Sequence, residues 1–140
     1  MRVAVLLLAV LTLAGCSGGA VQVEPPKPDG EAVAMCDRLA GLLPQRLDGA
    51  DRAETSPKSA YVAVWGEAEI AVRCGVRRPA KMAATDQLTE IDGVGWYPDP
   101  DKPTLFTAIM PSGYVEALIS RTHDAPKVLV DLSTPLAKLQ

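Results

Sequence analysis

Two of the three cysteines limit the possible folds of this chain most, because each falls on the apolar face of a predicted element. Residues 31–43 repeat apolar side chains at spacings of three and four, which predicts an amphipathic helix with Cys36 on its apolar face. Residues 69–76 alternate apolar and polar side chains, which predicts a strand with Cys74 on its apolar face. We therefore expect this helix and this strand to pack against each other in one core.

The start of the chain has the pattern of an export signal. Residues 3–13 form an apolar run of about 11 residues, which suits the apolar region of a signal peptide and is too short to cross a bilayer. Leu13 to Cys16 read Leu-Ala-Gly-Cys and resemble the lipobox of bacterial lipoproteins, whose cysteine receives a diacylglycerol before cleavage just ahead of it. Two acyl chains are enough for stable anchoring. We predict a lipoprotein signal peptide over residues 1–15 and lipidation at Cys16, which places the protein on the outer face of the cell membrane.

The segment after the predicted cleavage site is rich in glycine and proline. Such a composition is typical of an extended linker, so residues 16–30 are predicted to be a lipid-anchored tether that holds the domain clear of the headgroups. Residues 31–140 are then a single domain, long enough to bury one core.

Export would place Cys36 and Cys74 in an oxidising compartment, where paired cysteines usually form a disulfide. The alternative is a metal site, which would need a third and a fourth ligand from a chain with one histidine and no Cys-x-x-Cys motif. We predict the disulfide, with no metal or other cofactor.

The remaining patterns predict strands joined by short turns. Strand-like stretches are found at 61–65, 69–76, 88–97, 104–110 and 114–120, with Asp92-Gly93 as a hairpin turn in the third. Residues 47–60 are polar and are predicted to be a surface loop, and residues 125–140 are predicted to form two short helical pieces separated at Pro135. The fold class is therefore α+β, a two-layer sandwich of a mainly antiparallel sheet of about five or six strands with an N-terminal and a C-terminal helix.

Two groups of residues are candidates for chemistry. Arg73, Arg77, Arg78 and Lys81 form a basic cluster that could bind phosphate or carboxylate groups, or could instead be solvated charges paired with nearby acids. His123 precedes Asp124, but the chain has none of the common motifs that hold a serine nucleophile. We predict no catalytic residue, while an active site using His123 with loop acids stays open as the alternative.

The short motifs, taken in order, resemble a known family. The stretches "CDRLAGLLP", "WGEAEIAVRCGVRRP", "IDGVGWY" and "VLVDLS" are similar to those of small actinobacterial envelope lipoproteins grouped as domain of unknown function number three-five-one-five. This resemblance covers the chain from Cys36 to about Leu132. It implies an exported, lipid-anchored domain with no assigned reaction, and it supplies no catalytic residues.

Charge narrows the choice of partner. The chain is acidic overall, with a net charge of −3, which argues against nucleic acid as a partner because nucleic-acid-binding domains are usually basic. We therefore predict a non-catalytic envelope module that is held at the membrane by its diacylglycerol and binds another envelope protein or a wall polymer. A small envelope hydrolase using His123 is the alternative.

Overall fold

The computed structural model describes residues 19–140, so the predicted signal peptide and Cys16 lie outside the described residues. The described elements, in chain order, are β1 (Val21–Gln22), α1 (Glu31–Ala40), β2 (Arg46–Leu47), β3 (Ala50–Ala53), β4 (Thr55–Ser56), β5 (Val62–Trp65), β6 (Ile70–Val76), β7 (Thr89–Ile91), β8 (Val94–Pro98), β9 (Leu105–Met110), β10 (Gly113–Ile119) and α2 (Ala125–Ala137). Eight strands form one antiparallel sheet in the order β2-β3-β5-β6-β10-β9-β8-β7, and β1 pairs with β4 in parallel. The predicted α+β class is confirmed, with more strands than the five or six expected.

Both helices pack on the same face of the sheet. Cys36 and Leu39 of α1 and Leu132 and Leu136 of α2 are buried in one apolar cluster with side chains of β5, β6, β8, β9 and β10. The two tryptophans are also buried in this cluster. Trp65 donates a hydrogen bond from Nε1 to the carbonyl oxygen of Pro44 (3.1 Å), and Trp96 donates one from Nε1 to Ser133 Oγ (2.9 Å). Neither indole therefore leaves an unpaired donor in the core.

The predicted disulfide between α1 and β6 is present. Cys36 and Cys74 are 0% and 2% exposed, and their Cα atoms lie 5.6 Å apart, within the usual range for a disulfide. The inward direction of both side chains follows from the two periodicities, 3.6 in the helix and 2 in the strand. This cross-link joins the first helix to β6, one of the two central strands of the sheet.

The helix ends differ from the predicted ones. Helix α1 stops at Ala40, with Gly41 as its C-cap, instead of continuing to Leu43. At the other end of α1, Gly30 is the N-cap, and the backbone carbonyl oxygen of Asp29 accepts a hydrogen bond from the backbone N–H of Ala32 (3.2 Å). Helix α2 does have a side-chain cap, because Asp124 accepts a hydrogen bond from the backbone N–H of Lys127 (3.3 Å).

The prediction that Pro135 divides the C-terminal helix is wrong. Helix α2 runs unbroken from Ala125 to Ala137. A proline inside a helix removes one backbone hydrogen bond, but Pro135 lies only two residues before the end of α2 and is itself buried.

Within residues 19–140, no helix is long and apolar enough to cross a membrane.

The prediction of a surface loop over residues 47–60 is also wrong. This stretch contains most of the short strands β2, β3 and β4, and Leu47 is 2% exposed in the core. Asp48 and Gly49 both have positive φ angles (45° and 82°) in the turn between β2 and β3. Asp-Gly is a strong hairpin signal, and the same dipeptide at Asp92-Gly93 makes the turn between β7 and β8 as predicted.

The tether predicted over residues 16–30 is wrong for its second half, and the domain begins before residue 31. Val21 and Val23 pack against a small apolar cluster of Val62, Val64 and Ala71 on the face of the sheet that carries no helix. Strand β1 pairs with β4, and Pro26 is buried. A Gly/Pro-rich composition predicts the absence of helix, but it does not predict whether an extended segment packs against a sheet.

Candidate functional site

The structure separates the four residues of the predicted basic cluster. Arg73 lies opposite Glu116 in the β6–β10 pair, and its Nη1 is 2.6 Å from Glu116 Oε1. Lys81 forms an ion pair with Asp101. Both cations are therefore neutralised by acids of the fold, so that Arg73 and Lys81 follow the alternative of locally paired charges.

Arg77 and Arg78 remain exposed, and they line an open groove of about 610 Å³. We call it the N-terminal groove, and its walls are residues 27–32, 75–78 and 111–114. Lys27 adds a third exposed cation, while Asp29 and Glu31 are the two acids. Neither arginine nor Lys27 forms an ion pair with any other side chain in residues 19–140. The groove thus has a formal charge of +1 and free guanidinium groups.

Close contact between Pro28 and Gly75 gives this groove its shape. Gly75 has a φ of +82°, a conformation that side chains with a Cβ rarely adopt. A Cβ at this position would also overlap the ring of Pro28. The missing side chain allows the segment before α1 to lie directly on the end of β6, and this places Lys27 on the same groove as Arg77.

His123 is held by two acids from turns far away in the sequence. Its Nδ1 is 3.0 Å from Asp48 Oδ2 in the β2–β3 turn, and its Nε2 is 3.0 Å from Glu69 Oε2 just before β6. We call these three residues the His123 clamp. The imidazole side chain is 10% exposed, and Asp48 also accepts a hydrogen bond from the backbone N–H of Asp124 (3.1 Å). The clamp therefore joins the start of α2 to two turns of the sheet.

The clamp favours the protonated form of the histidine. The hydrogen bond to Glu69, followed by the one to Asp48, raises the pKa of His123 above its ordinary 6.5 although burial opposes it. The hydrogen bond from the Asp124 backbone, with that from His123, lowers the pKa of Asp48. An imidazolium that donates from both nitrogens has no lone pair with which to act as a general base.

The structure thus brings loop acids to His123, as the hydrolase alternative expects, but these acids occupy both ring nitrogens of the histidine. Each ring nitrogen faces a carboxylate, and among residues 19–140 neither one contacts a hydroxyl group that could serve as a nucleophile. In the same part of the chain, no group of three or more His, Cys, Asp or Glu side chains is arranged to hold a metal ion.

Asp48, Glu69 and Arg52 were not predicted from the sequence. The two acids belong to the clamp, and the Asp-Gly turn could have indicated that Asp48 lies at a hairpin. The guanidinium of Arg52 lies over the ring of buried Trp65, 5.0 Å from its centroid, at the edge of a second groove of about 520 Å³. No local pattern indicates this contact, because it depends on the pairing of β3 with β5.

Fold and site together define a small disulfide-linked α+β domain with charged open grooves. The chain belongs to the family described as protein of unknown function (DUF3515), whose model matches residues 1–140. No curated protein and no solved structure matches this chain.

Proposed function

We propose that this protein is a non-catalytic module of the cell envelope, anchored in the membrane by a diacylglycerol on Cys16. Support comes from the apolar run that ends in Leu-Ala-Gly-Cys and from the disulfide, which suits an oxidising compartment. The module binds an envelope protein or a wall polymer, and the bound segment carries carboxylate or phosphate groups.

The observation that carries the binding proposal is the unpaired Arg77–Arg78 edge of the N-terminal groove. Guanidinium groups form paired, charge-assisted hydrogen bonds with carboxylate and phosphate oxygens. The other two members of the basic cluster, Arg73 and Lys81, already have acidic partners. Cations that the fold leaves unpaired beside a groove are available to an external anion.

A non-catalytic role is also supported by the His123 clamp. The alternative hydrolase would need a histidine nitrogen free to take a proton from a nucleophile or a water molecule. In the clamp, each ring nitrogen instead lies 3.0 Å from a carboxylate oxygen, and the raised pKa of His123 favours the form that donates from both nitrogens. The clamp has the geometry of a structural link between α2 and the sheet.

Anchoring is tested with Cys16→Ser. We expect this variant to lose the mass of the diacylglycerol and to move from the membrane fraction to the soluble envelope fraction, because both acyl chains are lost. Membrane fractionation and intact-mass measurement read the two effects. A variant that stays in the membrane with an unchanged lipid mass would contradict the anchor.

Binding is tested by chemical cross-linking in the intact envelope. The double variant Arg77→Glu/Arg78→Glu is expected to capture at least about tenfold less partner than the native chain, since it replaces two attractive charges with repulsive ones. Arg121→Glu is the matched control, because Arg121 is exposed and lies outside the groove. Equal capture by the double variant and by the control would refute the groove as the binding site.

A further inference from the structure

The second groove contains a cation that the fold does not neutralise. We call it the Arg52 groove, and the polar residues that line it are Gln45, Arg52, Glu54, Thr55, Lys58 and Ser59. The neighbouring cations are paired, Arg46 with Asp51 and Lys58 with Glu54. Within residues 19–140, the Arg52 side chain has no ion pair and no hydrogen bond, and its guanidinium lies over the face of the Trp65 ring.

Trp65 holds the guanidinium of Arg52 in a defined position. The indole is fully buried, and its Nε1 hydrogen bond to Pro44 limits its rotation. Arg52 and Trp65 lie opposite each other in the β3–β5 pair, so the guanidinium lies over the ring as in a cation–π contact. Stacking leaves the N–H groups at the guanidinium edge unused, and these groups form a planar fork that fits phosphate.

Partial burial makes an unpaired arginine unfavourable. Desolvation lowers the pKa of Arg52 from its ordinary value, which shows that the surroundings disfavour its charge. A half-buried cation costs free energy unless an anion or hydrogen-bond acceptors compensate it. Since the described residues supply no such acceptor, an anion bound in the groove would stabilise Arg52.

Other groups in the groove can donate to the same anion. Ser59 Oγ accepts the backbone N–H of Tyr61 (3.1 Å), which leaves its hydroxyl hydrogen free to donate. Lys58 is 3.4 Å from Glu54, but both side chains are strongly exposed, so this ion pair is easily rearranged. Counting Arg52, Lys58 and Glu54, the groove has a formal charge of +1.

The position of the groove indicates where the anion comes from. Val21 pairs with Thr55, and its N–H donates to the carbonyl oxygen of Glu54 (2.8 Å), so the chain reaches the domain beside this groove. Four residues separate Cys16 from Val21, which allows at most about 17 Å between them in a fully extended chain. A diacylglycerol on Cys16 would therefore hold the Arg52 groove close to the lipid headgroups.

From this geometry we propose that the Arg52 groove binds the phosphate group of an anionic membrane lipid, with Arg52 as the bidentate donor. This inference rests on the proposed anchoring for the source of the phosphate. It assigns the domain a fixed orientation, with the segment that contains β3 and β4 toward the bilayer. The N-terminal groove is a separate site.

The test measures how fast phenylglyoxal, an arginine-specific reagent, modifies Arg52 in the native lipidated protein. The protein is placed in vesicles of phosphatidylcholine alone or with about one third phosphatidylglycerol. We expect Arg52 to be modified about fivefold more slowly with phosphatidylglycerol. Lipid that occupies the groove for about 80% of the time leaves Arg52 free to react for about one fifth of the time. Exposed Arg121 in the same molecules is the internal control and should react at the same rate in both vesicles.

Equal rates for Arg52 in the two kinds of vesicle would overturn the proposal. Inorganic phosphate added to the phosphatidylcholine vesicles separates the two sources of phosphate. Protection by inorganic phosphate equal to that by phosphatidylglycerol would overturn the lipid assignment. Failure of the anchor gives a different result, since the protein would then not associate with phosphatidylcholine vesicles at all.

Discussion

Removing the disulfide by Cys36→Ala/Cys74→Ala is expected to lower the free energy of unfolding by about 4 kcal/mol. The bond closes a loop with a sequence separation of 38, and the chain-entropy model assigns this value to a loop of that length. Domains of this size have a total stability of about 5–15 kcal/mol, so the loss is a large fraction. Denaturant unfolding of the native chain and of the double variant measures the difference.

Reduction of the native chain provides the control for this experiment. It breaks the cross-link without removing the two buried sulfur atoms from the core, so it separates the cross-link from side-chain packing. Alkylation before and after reduction should reveal the two thiols of Cys36 and Cys74 only in the reduced sample. A loss of less than about 1 kcal/mol in both the reduced chain and the variant would contradict the chain-entropy argument.

Replacing the central residue of the His123 clamp is expected to have the second largest effect. His123→Gln should lower the free energy of unfolding by about 2 kcal/mol near pH 5.5, because two charge-assisted hydrogen bonds are lost or weakened. These bonds connect the start of α2 to Asp48 and Glu69, which lie 75 and 54 residues away in the sequence.

The pH dependence of stability distinguishes the clamp from a simple packing role. Because the pKa of His123 is raised in the folded protein, its contribution is complete below about pH 6.5 and is lost as the pH rises through the raised value. Because the pKa of Asp48 is lowered, its contribution is present above about pH 3.8 and is lost as the pH falls through the lowered value. The difference between the native chain and His123→Gln should therefore be largest between about pH 4 and 6.5.

Urea unfolding at a series of pH values from 4 to 9 measures this difference. Arg121→Gln is the matched control, because Arg121 is an exposed residue of the same loop, and its stability should follow that of the native chain at every pH. Parallel pH curves for His123→Gln and the native chain would show that the imidazolium does not contribute through its charge.

Several elements could be predicted because their signals are local. The alternation in Ile70, Val72 and Cys74 follows from strand geometry alone, and the Asp92-Gly93 turn needs positive φ angles that these two residue types accept. The same reasoning could have predicted the Asp48-Gly49 hairpin. The strands on either side of it are short and mostly polar, so they lack the apolar alternation that indicates a strand.

The candidate sites could be predicted only in part. Arg77 and Arg78 are near each other in the sequence, so a local pattern was sufficient to mark them as a basic pair. Whether a cation has an acidic partner cannot be predicted from a local pattern, since Glu116 reaches Arg73 only through the pairing of β10 with β6. The contact between Arg52 and Trp65 likewise depends on strands that the sequence patterns did not connect.

The amino-acid sequence by itself determined the α+β class and the inward direction of Cys36 and Cys74, and therefore their disulfide. It could do so because the periodicity of apolar side chains follows from backbone geometry within one element. Only the tertiary structure decided that residues 21–28 pack on the sheet, that Asp48 and Glu69 hold His123, and that Arg52 lies unpaired in a groove. These contacts join residues distant in the sequence, and their free energy comes from burial and hydrogen bonds that exist only after the sheet has assembled.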